Sequence, residues 1–308
     1  MQNESNNNPL LCDPETGSCE IPFLQHESAA VHPLERTDKP LKVIYFTDPI
    51  CSSCWGIEPQ LRKLKLEYGD CLSIHYHMGG LLPDWNYNSG GISKPSDVAG
   101  HWDEVSIYYD MPIDGDIWLE DPLHSSYPPS IAFKAAQLQD TDKAILFLRT
   151  LREMVFLQKK NIAKWEYIAA AAKTVGLDEV QLLSDFEGPA FVQFEDDLKL
   201  AGSYGVRGFP TLYFEDLNGN REMVYGTKPY TFYEAAILKL NPPAVKGAYS
   251  RDWKSIFSRY NSLTAKEYAL LTDTSRSESE QLLNDLTANK LLIRSTTKNG
   301  AIWHVIVS

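Results

Sequence analysis

The stretch YFTDPICSSCWGIEPQLRKLKLEYG, residues 45–69, decides the fold. It joins an apolar run to a turn, then to two cysteines three residues apart, then to an amphipathic pattern. LKVIYF, 41–46, is short and rich in β-branched and aromatic residues, which predicts a buried strand. Beyond the turn, Ile57, Leu61, Leu64 and Leu66 fall near helical spacing, with Pro59 inside the helix and expected to kink it. LSIHYHMGGLL, 72–82, alternates apolar and polar residues and predicts a second strand, ended by Gly79 and Gly80. Two strands around one helix of this length predict a βαβ unit.

Cys51 and Cys54 sit where the first strand hands over to the helix. Three readings compete: a structural zinc corner, two buried thiols, or a redox pair. Residues three apart on a helix stand one above the other. A disulfide between them closes a small loop and staples nothing distant, which suits a bond meant to be made and broken. A cysteine at the helix start faces free N–H groups and the positive dipole end, so its pKa is expected to fall from about 8.5 to between about 3.5 and 7.5. Its thiolate is the attacking species in disulfide exchange. Cys54, one turn deeper, would resolve the mixed disulfide.

Downstream, residues 85–199 are dominated by helical patterns, among them PPSIAFKAAQLQ (128–139) and DKAILFLRTLREMVFLQ (142–158). Gly176 and Gly188 look like helix stops. GVRGFPTLYFED (205–216) and REMVYGT (221–227) read as strands around the turn LNGN, and TFYEAAILKL (231–240) as a closing helix. Pro210 cannot sit in a central strand, so it belongs to the loop entering one. An X-Pro bond can be cis at a cost of about 0.5–1 kcal/mol, and a cis bond there would turn backbone groups of Phe209 towards an extended substrate beside Cys51. An ordinary trans proline at a strand start is the alternative.

The chain has 308 residues, 43% of them hydrophobic, enough for a main domain plus an appendage. Its net charge of −12 argues against nucleic acid or membrane surface as the main partner. No apolar run approaches a membrane span. The first residues lack the pattern of a secretory signal, so a reducing cytoplasm is expected, where five cysteines do not suggest a disulfide scaffold.

FTDPICSSCWG, then MGGLL, then GVRGFPT, with a helical block between, resembles the DsbA-like branch of the thioredoxin superfamily. The likeness covers roughly residues 39–240 and is nearest to the dithiol-disulfide isomerases predicted for the bacterial cytosol. On that resemblance Cys51 is the nucleophile, Cys54 the resolving thiol and Pro210 the cis-proline of the substrate groove. SSYPPSIAFKAAQLQ (125–139) resembles the family's first insertion helix, which flanks that groove. The dipeptide Ser52-Ser53 departs from Pro-His and Gly-Pro, so no redox potential carries over. A related branch, adaptor proteins that deliver the stress regulator Spx to the ClpXP protease, shares the Asp-Pro and Cys-x-x-Cys-Trp pattern and supplies the alternative of a binding module.

The expected architecture is an α/β thioredoxin fold with an inserted α-helical domain, plus a small C-terminal winged-helix-like domain. Residues 1–38 form an irregular tail, 39–84 and 200–241 the thioredoxin fold, 85–199 the insertion and 248–308 the C-terminal domain, after the linker NPPAVKG (241–247). In the tail, Cys12 and Cys19 flank a turn and offer a second thiol pair or unconnected cysteines. A four-cysteine zinc site with Cys51 and Cys54 is the remote option. Cys71 reads as a buried small hydrophobe, and His75 and His77 as surface or satisfied core residues. Glu58 is a candidate proton shuttle under the thiols, or simply a solvated carboxylate. HWDEVSIYYDMPIDGDIW (101–118) either borders the groove or packs the insertion. In the last domain, Glu278, Glu280 and Asp285 oppose a single Lys290 on the helix that would enter a DNA groove, so protein–protein contact is expected there rather than nucleic acid. The expected function is cytosolic thiol-disulfide exchange on protein or peptide substrates, as reductase or isomerase, needing no metal or organic cofactor.

Overall fold

The computed structural model describes residues 12–13, 17–20, 39–86 and 94–306. In chain order, β1 (Cys12–Asp13), β2 (Ser18–Glu20) and β3 (Leu41–Thr47) precede α1 (Ser52–Gly56), α2 (Glu58–Tyr68) and β4 (Leu72–Met78). The βαβ unit is present, with β3 and β4 parallel and Val43 opposite Ile74. The expected kink at Pro59 is instead a break between two helices. Pro59 lies in the first turn of α2, where its missing N–H leaves no bond unmade. Ile57 closes α1 by donating to the Ser53 carbonyl at 3.2 Å and opens α2 by accepting from Leu61 at 3.0 Å.

A helical block follows: α3 (Pro95–Tyr109), α4 (Ile117–Glu120), α5 (Tyr127–Gln139), α6 (Thr141–Leu157), α7 (Trp165–Thr174), α8 (Glu179–Phe186) and α9 (Pro189–Ser203). The chain then returns through β5 (Gly208–Phe209), β6 (Thr211–Asp216), β7 (Arg221–Tyr225) and α10 (Tyr230–Leu240). The main sheet runs β4-β3-β6-β7, with β6 antiparallel to both of its neighbours. Strand β3 is central and almost wholly buried, which is why its sequence is a continuous apolar run rather than an alternating one. This is a thioredoxin fold with a helical insertion.

The tail is not wholly irregular. Strands β1 and β2 pair antiparallel with Cys12 opposite Cys19, and β2 pairs antiparallel with β5 through Cys19–Phe209 and Glu20–Gly208. Residues 1–11, 14–16 and 21–38 of the expected tail lie outside the described residues.

The C-terminal unit consists of α11 (Trp253–Arg259), β8 (Ser262–Thr264), α12 (Ala265–Thr272), α13 (Arg276–Ala288), β9 (Leu292–Thr297) and β10 (Gly300–Val305), with a sheet ordered β8-β10-β9. Phe257, Leu263, Tyr268, Leu283 and Trp303 form its own core, while Ile302 joins the main core and Leu66 of α2 packs on the smaller one. Charge also holds it in place. Glu267 is fully buried and accepts two bonds from Arg149 of α6, at 2.8 and 3.1 Å, with Arg62 of α2 at 3.2 Å. The same carboxylate caps α12 by accepting from the Thr264 N–H at 2.7 Å. Arg62 also donates to the Ser262 carbonyl at 2.7 Å.

Burial alone would raise the Glu267 pKa, but Arg149 and Arg62 outweigh it and hold the carboxyl below its ordinary range. A depressed folded pKa contributes stability that is present above the unfolded value, about 4.3, and is lost as pH falls through the folded value. Glu267→Gln leaves two arginines facing a neutral amide. It should cost about 3–5 kcal/mol in denaturant unfolding and flatten the acid limb of the stability profile. An unchanged acid limb in a destabilised variant would show that packing, not charge, seats the unit.

Candidate functional site around the paired cysteines

Strand β3 ends at Thr47, and the turn Asp48-Pro49-Ile50 delivers Cys51 as the N-cap of α1. Asp48 organises this turn. Its buried carboxylate accepts from the Ile50 N–H at 3.0 Å, the Leu81 N–H at 2.8 Å and the Ser126 hydroxyl at 2.8 Å. One side chain thereby ties the cysteine turn to the Gly79-Gly80 loop and to the start of α5. Burial raises its pKa to about 6 against those bonds.

Cys51 Sγ accepts from the Cys54 N–H at 3.1 Å, so the sulfur does face the helix start. The ionisation expected from that geometry does not follow, because both sulfurs are fully buried. Burial pushes the Cys51 thiol well up, and its bond to Cys54 and the neighbouring charge hold it there. At Cys54 burial also raises the pKa, but the bond from Cys51, the Arg152 guanidinium and the hydroxyls of Thr47 and Tyr45 outweigh it and bring the thiol down. The charge of the pair therefore rests on the inner sulfur. The fold denies Cys51 the solvent access that ionisation by a helix dipole needs.

Arg152, unread in the sequence, is the cation that makes this so. It is fully buried and donates to Thr47 Oγ1 at 2.6 Å and the Asp48 carbonyl at 3.3 Å. Its other arm binds Glu58. The signal was present: Arg152 follows Leu148 and Leu151 on the apolar face of α6, where a solvated arginine does not belong. Glu58, expected as a candidate proton shuttle or a solvated carboxylate, is not solvated. It is paired with Arg152 and lies within 4.0 Å of Arg62 and Arg149, a carboxylate that holds cations in place. Trp55 lies under Arg149 at 4.3 Å from the ring centre, stacks on Phe156 and donates to the Pro112 carbonyl at 3.0 Å.

The Phe209–Pro210 peptide bond is cis. The Phe209 ring is buried against Gly79, where a Cβ would stand 1.7 Å from it, so the Gly79 position admits no side chain. The backbone edge at Phe209, expected to face an incoming substrate, is occupied by β2 of the same chain. Cys19 is fully buried and disulfide-bonded. Its Sγ lies 3.5 Å from Cys51 Sγ and 3.4 Å from Ser53 Oγ. The carbonyl of Gly17 accepts from the Thr227 N–H at 2.6 Å, and Ser18 Oγ donates to the Tyr225 hydroxyl at 2.8 Å. Ser53 in turn bonds the Tyr109 hydroxyl at 2.7 Å, so the aromatic stretch 101–118 both packs the insertion, through Trp102 and Trp118, and borders the site through Tyr109.

Of the two readings of the tail cysteines, the Cys19 disulfide removes that of an unconnected Cys19, and with it the four-thiolate zinc arrangement; the Cys12 side chain lies outside the described ones. Cys51, Cys54 and Cys71 are free thiols. Cys71 is half-buried rather than core, at the foot of β4, and takes no part in the site. His77 bonds Asp197 through Nδ1 at 2.7 Å, with its buried Nε2 unpartnered among the described residues, and His75 bonds Ser73 at 3.0 Å. Among the described residues, no three or more His, Cys, Asp or Glu side chains are grouped to hold a metal ion. No helix among them is long and apolar enough to cross a membrane.

Two outcomes are expected. Arg152→Met removes the cation beside the pair and should shift the thiolate absorbance transition to higher pH; an unmoved transition would mean the hydrogen bonds alone set it. Asp48 has a raised folded pKa, so its contribution to stability is present below about 4 and is lost as pH rises through about 6, on the order of 3 kcal/mol. Asp48→Asn should lack that decline when unfolding is followed across this window.

Residues 45–235 match a family model described as Thioredoxin. The ClpXP adapter protein SpxH of Halalkalibacterium halodurans is 31% identical over 305 residues, covering 97% of this chain and 98% of its own. The protein of that name from Bacillus subtilis is 29% identical over 284 residues, covering 91% and 94%. Among solved structures, the cytosolic disulfide reductase DsbM of Pseudomonas aeruginosa superposes with a TM-score of 0.54 at 21% identity, over 65% of this chain and 99% of the other; that likeness carries the fold alone. The chain belongs to the thioredoxin family and, within it, to the family of the proteins named ClpXP adapter protein SpxH.

Proposed function

We propose that this protein is an adaptor in a thioredoxin scaffold, which binds a client protein and presents it to the ClpXP protease in the cytoplasm. The client that the family resemblance implies is the regulator Spx. One observation carries the reading: the edge at which a thioredoxin fold would receive an extended peptide is filled by the chain's own β2, and both sulfurs behind it are buried. Client recognition then falls to the outer surfaces. The relatives support this, because a likeness over 97% of the chain takes in the C-terminal unit, for which disulfide exchange has no use. That unit is bound to α6 and α2 by buried charge, so a client held on it keeps a fixed orientation to the rest.

A second reading, exchange with protein or peptide disulfides, rests on Cys51 at the helix start, Cys54 below it and the cis peptide at Pro210 opposite. It requires no metal or organic cofactor. A single variant separates the two. Cys51→Ser should leave accelerated degradation of Spx by ClpXP within about two-fold of the unsubstituted protein, while abolishing any insulin reduction. Loss of the degradation effect in a folded Cys51→Ser protein would overturn the adaptor reading in favour of the exchange chemistry.

A further inference from the structure

The nucleophile position is not empty of substrate: a disulfide sulfur from the same chain already stands in front of it. Cys19 Sγ is 3.5 Å from Cys51 Sγ, and Cys19 is the β2 residue that pairs with Phe209, next to the cis peptide. The placement does not rest on the sulfur contact alone. Gly17 is held by two bonds from Thr227, at 2.6 and 2.9 Å, and Ser18 by Tyr225, so the strand is anchored to the end of β7 as well as to β5. Ser53, between the paired cysteines, touches the Cys19 sulfur at 3.4 Å. This is the arrangement of an extended peptide presented to an exchange site by strand addition, with its disulfide sulfur as the electrophile.

From this geometry we infer that the N-terminal disulfide is an intramolecular exchange partner of Cys51 and Cys54, so that an electron pair passes between the two sites without any external thiol. In the first step Cys51 gives its proton to Cys54 along their hydrogen bond and attacks Cys19 Sγ. The Cys51–Cys19 bond forms, the existing Cys19 disulfide breaks, and its second sulfur departs as a thiolate; the residue opposite Cys19 in the β1–β2 register is Cys12. In the second step that thiolate takes up the proton of Cys54, and Cys54 attacks Cys51 Sγ. The Cys51–Cys54 bond forms and Cys19 leaves as a thiolate. Two electrons have moved from the helix pair to the N-terminal pair, and the proton count is unchanged. The inference stands apart from the adaptor reading, since it concerns only the chain's own sulfurs.

The test uses full-length protein with no client. Cys54→Ala removes both the resolving sulfur and the acceptor of the first proton, so the variant is held at alkaline pH to ionise Cys51, and the sequence then stops after its first step. The variant is incubated with an alkylating reagent that captures the released thiol, quenched in acid and mapped by peptide mass spectrometry. The expected result is a peptide pair joined through Cys51 and Cys19, with alkylation at Cys12, and no such pair in Cys51→Ser or Cys19→Ser. A folded Cys54→Ala protein in which Cys51 remains a thiol and the Cys19 disulfide persists overturns the inference. Should Cys54→Ala not fold, the unsubstituted protein answers the question. With the helix pair reduced and the N-terminal disulfide intact, a Cys51–Cys54 disulfide should appear in anaerobic buffer as Cys12 and Cys19 become alkylatable. Its absence at equilibrium overturns the inference equally.

Discussion

The buried contact between Arg152 and Glu58 is the constraint on which the two halves of this molecule depend. An arginine with no solvent access must be matched by anions and by acceptors, or it would neither stay ionised nor stay folded inside. Here the matches are Glu58 on α2, Thr47 and Asp48 at the end of β3, and the inner sulfur of the cysteine pair. One turn earlier on α6, Arg149 lies within 4.0 Å of the same Glu58 and passes the charge chain on to Glu267 of the C-terminal unit. The thiol site and the docked unit are thus two ends of one charged network, and α6 supplies both cations.

That arrangement explains why a helix start does not suffice to ionise the outer cysteine. A dipole end contributes a fraction of a charge, and here it acts where burial has removed water from both sulfurs. A full guanidinium charge on the inner side outweighs it. The outer sulfur stays protonated and faces a covalently saturated sulfur across a van der Waals gap. Reactivity in such a site is governed by proton exchange within the pair more than by exposure.

Much of the main domain was legible in the residues. The period-two and period-3.6 patterns, the cysteine spacing and Pro210 before a strand each reflect a local rule, and local rules are what sequence carries. The charged network was not legible, because Arg149, Arg152, Glu58 and Glu267 look like solvated helix residues until their partners, up to 118 positions away, come together. Strand β2 was hidden for a related reason. It is three residues long, and its partner β5 has two residues nearly two hundred positions away, too short for any alternation to register. The single clue in each case was a residue out of place: an arginine on an apolar face, and a cysteine beside a turn in a polar tail.

The strand that lies across the Phe209 edge has one more consequence. A segment joined to its own site competes at an effective concentration on the order of millimolar, set by the connecting chain rather than by supply. A free peptide or a small disulfide has to displace it before reaching Cys51, and at lower abundance it loses that contest. The groove is thereby selective by tethering, with no shape or charge filter needed to turn ordinary cellular disulfides away.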